Sequence, residues 1–410
     1  MPMLVTLIPL FDENLKVSAY SLFTQKHNFF LQPSFLGTGQ NDGASRVAGL
    51  ELMETMGIET LSSADKVFVS IGNISIFSDI AGQCDAPHNR VVLLIDNTIP
   101  PIEMYLNRLT ELKTQGYRLA IRNLPVTSYE SSASILKLMD YILIDSQKVD
   151  ITKARIYFNK LYPSLKLGAS NIQTMEAFEA LKADGGCSLF EGSFFRLPIA
   201  KGASEVAPLK VNYIELMNLV NTEDFDLTKA ADIISRDTAL AILLLQMVNK
   251  MAFNSEITSI RHAAAMLGQK ELRRWINTAL VNELCSDKPT EVTRLSLLRA
   301  KFAENLAPAF ELAGKSSEVF LMGLFSILDI ILNKPMEEAL QLIRVSREIE
   351  NALIYRQGPL GEIWDFITQY ESANWQEVSR QMVLKDISMS TVYDAYANSL
   401  RWYRELVSLR

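Results

Sequence analysis

Cysteine and histidine are both scarce in this chain. Its 410 residues include three of each, and Cys84, Cys187 and Cys285 lie far apart in the sequence. No two cysteines have the CxxC spacing, so the sequence indicates neither a zinc knuckle nor a disulfide framework. We expect three free thiols in a reducing compartment.

A positive net charge and a long apolar run are also missing. The formal net charge is −7, which excludes a general attraction to nucleic acid or to anionic membranes. The apolar runs Ala239–Leu245 and Phe320–Leu328 fall short of the ~18 residues that suggest a membrane-spanning helix. The apolar start of the chain lacks a basic region, and Asp12 and Glu13 interrupt it early. We therefore expect a soluble, cytoplasmic protein without a nucleic-acid or membrane partner.

Short apolar segments alternate with helical periodicity in the first half of the chain. Such segments predict parallel strands that are buried on both faces. About seven or eight of these units in roughly two hundred residues predict a closed, TIM-like (β/α) barrel. The predicted strands are Leu4–Phe11, Val17–Phe23, Lys66–Ile71, Val91–Ile95, Tyr117–Ile121, Tyr141–Ile144, Leu165–Ala169 and Ser188–Glu191. The predicted helices are Gly43–Met56, Pro101–Gln115, Ser131–Met139 and Thr174–Ala183.

Helix start signals follow one another between Asp226 and Leu284. Thr228, Asp237 and then Thr258 or Ser259 carry side-chain oxygens that can accept from the first N–H groups of a helix. Gly268 stands where a left-handed helix end favours glycine. Apolar residues at three- and four-residue steps predict short helices around one shared core. They are Leu227, Ala230, Ala231, Ile234, Leu240, Leu243, Leu244, Met247, Ile260, Ala263, Ala264 and Leu267.

A linker is predicted at Leu197–Pro208, which contains two prolines and several small residues. We therefore divide the chain into an α/β barrel at residues 1–200 and an all-helical domain at residues 201–410. The linker is short, so we expect the two domains to pack together.

The helical half resembles the HDOD domain, an all-helical relative of the HD phosphohydrolases that occurs in bacterial signalling proteins. The HD enzymes hold a metal ion with an adjacent His-Asp pair. The matching helix has Ser326 and Ile327 in place of that pair, and HDOD domains generally lack it. The segments that carry the resemblance are Ile233–Leu240, Leu244–Asn249, Ile257–Gly268, Gly358–Trp364, Tyr370–Glu371 and Asn374–Trp375.

The first half resembles the EAL domain, a barrel family that hydrolyses cyclic di-GMP. An EAL domain followed by an HDOD domain is itself a family, often called YuxH-like, and the order of segments matches it across the whole chain. EAL-type barrels commonly dimerise, so the resemblance implies a homodimer. The matching segments are Val17–Phe23, Tyr117–Ile121, Tyr141–Asp145 and Phe190–Pro198.

The resemblance implies a site whose chemistry this sequence lacks. A two-metal phosphodiesterase needs several oxygen ligands for Mg²⁺ or Mn²⁺ and a base that activates water. An arginine would repel a dication and a leucine offers it no ligand, so we expect no catalytic, cofactor-binding or metal-binding residue and no enzymatic activity. The family's glutamates fall at Ser21, Leu94 and Ser170, its asparagine at Ser70, its paired aspartates at Arg122 and Asn123, its lysine at Leu143 and its arginine at Gln25.

Several other residues allow both a functional and a structural interpretation. Asp96 and Asp145 end predicted strands and could perform acid–base chemistry, or could serve as caps or ion-pair partners. The histidines lack partners spaced for a metal, which favours packing or capping roles. Lys270, Arg273 and Arg274 could contact an acidic partner or a phosphate, or could form a solvated helix face. The histidines are His27, His88 and His262.

The last helix carries an apolar and aromatic stripe at three- and four-residue steps. The stripe could dock on its own domain, or it could form a partner surface. It consists of Tyr393, Tyr396, Leu400, Tyr403 and Val407.

Together these observations predict a non-enzymatic bacterial signalling protein that binds other, unidentified signalling proteins. The alternative is a sensor that binds cyclic di-GMP or another nucleotide in the barrel mouth without cleaving it. Arg122 favours the sensor, whereas the missing arginine at Gln25 opposes it.

Overall fold

The protein consists of two compact units. The computed structural model describes residues 2–28, 30, 46–62, 66–196, 208–222, 224–251 and 257–408. One unit comprises Met1–Leu197 together with Phe366–Arg410, and the other comprises Pro198–Asp365. The division into sequence domains at residue 200 stays a prediction, but the chain from Phe366 onward groups with the barrel. The predicted linker lies, up to residue 207, outside the described residues.

A closed barrel forms the first unit, and its eight described strands follow one another in sequence order. This confirms the predicted α/β barrel. Each strand carries apolar residues at consecutive positions, because one face meets the barrel interior and the other meets the surrounding helices. The strands are β1 (Leu4–Phe11), β2 (Val17–Gln25), β3 (Lys66–Ile71), β4 (Val91–Ile95), β5 (Arg118–Arg122), β6 (Tyr141–Asp145), β7 (Lys166–Ile172) and β8 (Cys187–Gly192).

The first strand runs against the others, which corrects the prediction of parallel strands throughout. β1 pairs antiparallel with β2 along its length and with β8 at Phe11 and Phe190. The chain between β1 and β2 is a tight turn, in which the Asp12 carboxylate accepts from the backbone N–H groups of Asn14 and Lys16. A parallel connection needs a crossover of a dozen or more residues, so this short turn requires a hairpin.

The barrel interior is filled by alternate side chains from the strands. Close contact between β7 and β8 requires Gly192, where a Cβ atom would lie 1.9 Å from the carbonyl oxygen of Ile172. The interior cluster consists of Leu10, Ala19, Phe68, Val92, Leu94, Ala120, Tyr141, Leu143 and Leu189.

Helices surround the barrel, and the sequence analysis missed two of them, the four-residue helix Ile58–Leu61 and a longer one. The longer helix, Ile151–Leu161, buries only Ile151, Ala154 and Phe158, and its other positions are largely polar. Asp150 caps it by accepting from the backbone N–H of Lys153, and this cap is the signal that could have found it. The helices are α1 (Ala48–Met56), α2 (Ile58–Leu61), α3 (Glu103–Thr114), α4 (Ala133–Leu136), α5 (Ile151–Leu161) and α6 (Met175–Asp184).

The second unit is helical, and the predicted core positions Ala230, Ala231, Ile234, Ala263 and Ala264 are all buried. Its helices are α7 (Pro208–Val220), α8 (Leu227–Ile234), α9 (Thr238–Met251), α10 (Ile260–Leu284), α11 (Thr290–Leu306), α12 (Ser316–Phe325), α13 (Leu328–Leu332), α14 (Met336–Leu342) and α15 (Arg347–Tyr355).

The helix starts and ends in this unit agree in part with the predictions. Asp237 and Ser259 act as predicted, accepting from the backbone N–H groups three residues later. The cap of α8 is Asp226 rather than Thr228. Gly268 has the expected positive φ of 72°, but it breaks α10 into two segments instead of ending it. Helical hydrogen bonding resumes at once, so the glycine creates a kink.

The chain returns to the barrel unit through the end of α16 (Gly358–Glu371), α17 (Trp375–Leu384) and α18 (Met389–Ser408). α18 packs against β1, which has no crossover helix of its own. The predicted stripe therefore docks on the barrel unit through the buried Tyr396 and Leu400, and not on the helical domain at residues 201–410 to which the sequence analysis assigned it. The contacts that join these helices to the barrel include Val5 N–H to Tyr370 Oη, Asn28 Nδ2 to the Ser379 carbonyl, Arg196 to Glu371, and Arg404 to Thr60 Oγ1.

Candidate functional site

Three polar side chains meet at the mouth of the barrel, where the parallel strands end. They are Ser21 on β2, Arg122 at the end of β5 and Glu191 on β8. Successive side chains on a strand alternate between its faces. Each of the three lies two residues after an interior residue, namely Ala19, Ala120 and Leu189, so each points into the barrel.

Arg122 and Glu191 form a two-pronged ion pair. Arg122 Nη1 donates to Glu191 Oε1 at 2.7 Å, and Nη2 donates to Oε2 at 2.6 Å. Nη2 also donates to Ser21 Oγ at 2.9 Å, and the guanidinium lies 5.2 Å from the centre of the Phe23 ring. The side chains are only 16% and 8% exposed, so both charges are largely removed from water. Paired geometry of this kind gives the strongest class of charged hydrogen bond.

The ion pair gives Arg122 a partner that the sequence analysis did not identify. Arg122 was predicted at a position that corresponds to one of the family's paired aspartates, but Glu191 was not identified as its partner. The two residues are 69 positions apart, and only the closure of the barrel brings them together. An acid on the inward face of the last strand is the signal that could have identified Glu191.

The other positions that the resemblance assigns to the site do not form a polar cluster among the residues that the structure describes. Leu94 and Leu143 fill the barrel interior. Asn123 has a φ of 53° and donates its N–H to the carbonyl of Leu143. Gln25 donates to the carbonyl of His27, which holds the turn after β2. Of the remaining two positions, Ser170 is buried and Ser70 is half-buried.

Asp96 and Asp145, the two candidates for acid–base chemistry, both accept hydrogen bonds from the turns that follow their strands. Asp96 Oδ1 accepts from the backbone N–H and the hydroxyl of Thr98. Asp145 Oδ1 accepts from the backbone N–H of Gln147 and from Asn171. These contacts agree with the interpretation that both carboxylates act as caps.

The histidines lie apart from one another in packing or surface positions. His88 stacks on Tyr117 at 4.3 Å between ring centres, and its Nδ1 lies 2.7 Å from the carbonyl oxygen of Gln115. His27 and His262 are exposed. Across the part of the chain that the structure describes, no three His, Cys, Asp or Glu residues are grouped so that they could hold a metal ion.

The cysteines are free thiols, as expected. Burial raises the pKa of Cys187 and of Cys285 to about 11, and burial also raises the pKa of Cys84. A thiol with a raised pKa is a poor nucleophile at neutral pH.

In the helical unit, the expected position of the His-Asp pair lies in a buried polar environment. Arg299 donates to Ser326 Oγ at 3.1 Å, and Ile327 is fully buried. Nearby in sequence, burial raises the pKa of Asp329 from 3.8 to about 6, although a hydrogen bond from the N–H of Ile330 and the charge of Arg299 oppose the shift. Asp329 is therefore an acid whose charge is costly at neutral pH.

We expect Asp329→Asn to stabilise the protein above, but not below, the pKa of about 6. The native state binds the Asp329 proton more tightly than the unfolded state does. The stabilisation from this proton is complete below the unfolded pKa and is lost as pH rises through the folded pKa. A shift of roughly two pKa units corresponds to an upper limit of about 3 kcal/mol. Urea unfolding on both sides of the folded pKa measures the change, with Asp224→Asn, at an exposed position of the same unit, as control. An equal gain at low pH would contradict this origin.

The basic run on α10 is not a solvated face, so that reading was wrong for its two arginines. Arg273 donates to the carbonyls of Val220 and Thr222 at 2.6 and 2.7 Å. Arg274 forms a two-pronged pair with Glu304 at 2.6 and 2.9 Å. Lys270 alone is exposed.

A comparison with known protein families agrees with the helical unit. Residues 206–356 match the HDOD domain family, so the predicted continuation beyond residue 356 lies outside the match. The chain is similar to the uncharacterised protein YuxH of Bacillus subtilis (strain 168), with 25% identity over 413 residues and 98% of each chain covered. It is also similar to the cyclic di-GMP phosphodiesterase CdgJ of Vibrio cholerae, with 26% identity over 325 residues, 78% of this chain and 74% of CdgJ.

Among solved structures, the EAL domain protein from Listeria monocytogenes EGD-e is 16% identical to this chain. The structural match covers 47% of this chain and 87% of the Listeria chain, with a TM-score of 0.39.

The chain therefore has a barrel unit followed by a segment that matches the HDOD domain family, which is the order expected from the YuxH-like resemblance. A closed barrel with a reversed first strand precedes a helical unit that contains the HDOD match. Its similarity to YuxH extends over nearly the whole length of both chains. No helix in the described ranges is long and apolar enough to cross a membrane.

Proposed function

We propose that this protein is a catalytically inactive component of cyclic di-GMP signalling that acts by binding other proteins. The observation that carries the proposal is the Arg122–Glu191 ion pair in the barrel mouth. The guanidinium stands at a position where the family resemblance places a metal-binding carboxylate. Its positive charge opposes a dication, and it engages the acidic side chain that points into the mouth.

The sequence positions around the ion pair support the same proposal. Leu94 and Leu143 stand where the resemblance places a metal ligand and the catalytic lysine, and both are packed in the interior. Restoring the reaction would require ligands for two metal ions and a base for water. The proposal therefore predicts a barrel that keeps its framework without the hydrolytic chemistry.

The sensor function is the alternative, and the ion pair weighs against it. A nucleotide phosphate would have to displace Glu191 from Arg122, leaving the carboxylate buried without its partner. Breaking a buried ion pair in this way costs several kcal/mol, roughly 3–5. Arg122 is thus poorly available as a phosphate ligand.

We expect the purified full chain to release no linear dinucleotide from cyclic di-GMP with Mg²⁺ or Mn²⁺, as measured by chromatography. Cyclic di-GMP is the substrate to test because the relative CdgJ is named as its phosphodiesterase. Metal-dependent hydrolysis that disappears in Arg122→Met but persists in the exposed control Lys137→Met would overturn the proposal. Calorimetric titration is the second arm, and micromolar binding without turnover would support the sensor instead.

A further inference from the structure

Apolar side chains are exposed side by side on two neighbouring loops of the barrel. One loop follows β3 and carries Ile74 and Phe77, which are 54% and 43% exposed. The other follows β4 and leads into α3 at Ile102, which is 50% exposed. These three side chains form what we call the loop patch. A single exposed apolar residue needs no explanation, but adjoining ones mark binding surfaces.

Direct contacts between the two loops make the patch continuous. The ring centres of Phe77 and Tyr105 lie 5.0 Å apart, and the Tyr105 hydroxyl donates to the carbonyl of Asn73 at 3.2 Å. The backbone N–H of Phe77 donates to the carbonyl of Ile74, and that of Tyr105 donates to the carbonyl of Ile102. Residues three positions apart in such turns lie on the same side. Ile74 and Ile102 therefore flank the two touching rings.

The loop after β3 is held in place by Arg108 of α3. Its Nε donates to the carbonyl of Ile76 at 2.8 Å, and its Nη2 donates to the carbonyl of Ser78 at 2.7 Å. The side chain of Ile76 is fully buried. The patch is thus formed before any partner arrives, which lowers the entropy cost of binding.

The two loops carry negative charge only. Residues 72–79 and 96–107 contain three carboxylates and neither lysine nor arginine. None of the three carboxylates forms an ion pair with a residue in the described ranges. The next cation along the chain, Arg108, is already paired with Glu111 at 2.7 Å. The carboxylates are Asp79, Asp96 and Glu103.

Glu103 is the carboxylate that adjoins the patch. It is exposed in the first turn of α3 and directly follows Ile102. The partial positive charge of a helix start stabilises a carboxylate at this position, so Glu103 is ionised at neutral pH. A lysine or arginine that reaches the patch can therefore pair with it.

The charge of the loops decides between the possible occupants. A second copy of this chain would bring carboxylates against carboxylates, which costs binding free energy. An anionic membrane surface would be repelled in the same way. A cationic segment with apolar side chains matches both the charge and the apolar character of the surface.

We propose that the loop patch binds a segment of a partner protein that combines apolar side chains with lysine or arginine. The proposal rests on the protein-binding function proposed above and names the chemistry of the partner. The apolar side chains of the segment cover Ile74, Phe77 and Ile102. One of its cations pairs with Glu103.

The test uses the full chain and a fluorescein-labelled peptide of leucine and lysine, with binding followed by fluorescence anisotropy. We expect Glu103→Lys to weaken binding by about tenfold or more, because it replaces an attraction by a repulsion. Ile74→Lys should weaken binding to a similar degree, because it removes apolar contact and adds a charge of the same sign as the peptide.

Each of these variants has a matched control in the barrel unit. Glu176→Lys changes another exposed glutamate in the first turn of a helix, α6, and alters the net charge equally. Ile156→Lys changes another exposed isoleucine, which is 61% exposed on α5. Both controls should bind the peptide like the natural chain.

Several results would overturn the proposal. One is natural binding by both Glu103→Lys and Ile74→Lys, and another is an equal loss in the two controls. Equal binding of a leucine–glutamine peptide would show that cations are not recognised. Self-association in sedimentation that Ile74→Lys abolishes and Ile156→Lys retains would assign the patch to a second copy of the chain. Hydrolysis of cyclic di-GMP tests the chemistry of the barrel mouth alone, so failure of the proposed function can be distinguished from failure of the loop patch.

Discussion

A chain that ends at Ser372, and so lacks α17 and α18, is expected to lose the folded barrel. These helices lie beyond the HDOD match and belong to the barrel unit. Leu10 points into the barrel, so by alternation Val5 and Leu7 point outward, yet both are buried. The hairpin to β2 leaves no room for a covering helix, and α18 packs against β1 in its place.

The expected effect is as large as the stability of a typical domain. Each large apolar side chain that returns to water costs about 1.5–3 kcal/mol. The removed helices carry several buried side chains, so the sum is on the order of 10 kcal/mol, against roughly 5–15 kcal/mol for a whole domain. These side chains are Trp375, Val378, Met382, Val392, Tyr396 and Leu400.

Soluble yield and thermal unfolding followed by circular dichroism measure the loss. A pair of point variants on α18 provides a graded form of the same test. Leu400→Ala, at a position only 1% exposed, should cost about 2–5 kcal/mol, whereas Val407→Ala, at a position 45% exposed, should change stability by less than about 0.5 kcal/mol. If the shortened chain unfolded cooperatively with the same midpoint temperature as the full chain, the role assigned to these helices would be wrong.

Glu191→Ala is expected to destabilise the barrel by about 3–5 kcal/mol, because it leaves the guanidinium of Arg122 buried without a carboxylate. The unpaired Nε of Arg122 makes this site especially sensitive, since that buried group already has no hydrogen-bond partner in the described residues. Urea unfolding monitored by circular dichroism measures the change. Glu54→Ala, on an exposed position of α1, is a control for the loss of a glutamate.

The double variant Arg122→Met with Glu191→Leu separates the ion pair from its parts. Replacing both members of a buried pair by apolar residues of similar size is often neutral or stabilising. We therefore expect the double variant to recover most of the stability that Glu191→Ala loses. If the effects of Arg122→Met and Glu191→Leu simply added, the two residues would be energetically independent, against the geometry of the mouth.

Local patterns predicted much of the barrel. Consecutive apolar positions identified the strands Leu4–Phe11, Lys66–Ile71 and Val91–Ile95 with their observed bounds. Short polar side chains before helical repeats identified the caps Asp237 and Ser259. These features depend on neighbours in sequence, which is why periodicity and capping chemistry suffice for them.

The sequence by itself determined which side chains stand at the expected metal positions, because residue type can be read without any fold. Leu94 and Arg122 cannot act as carboxylate ligands in any conformation, and Leu143 cannot replace the lysine that the resemblance places there. Only the tertiary structure decided that Arg122 pairs with Glu191 and that the chain after Phe366 returns to cover β1. Both depend on surfaces distant in sequence, and local periodicity carries no information about which apolar faces meet.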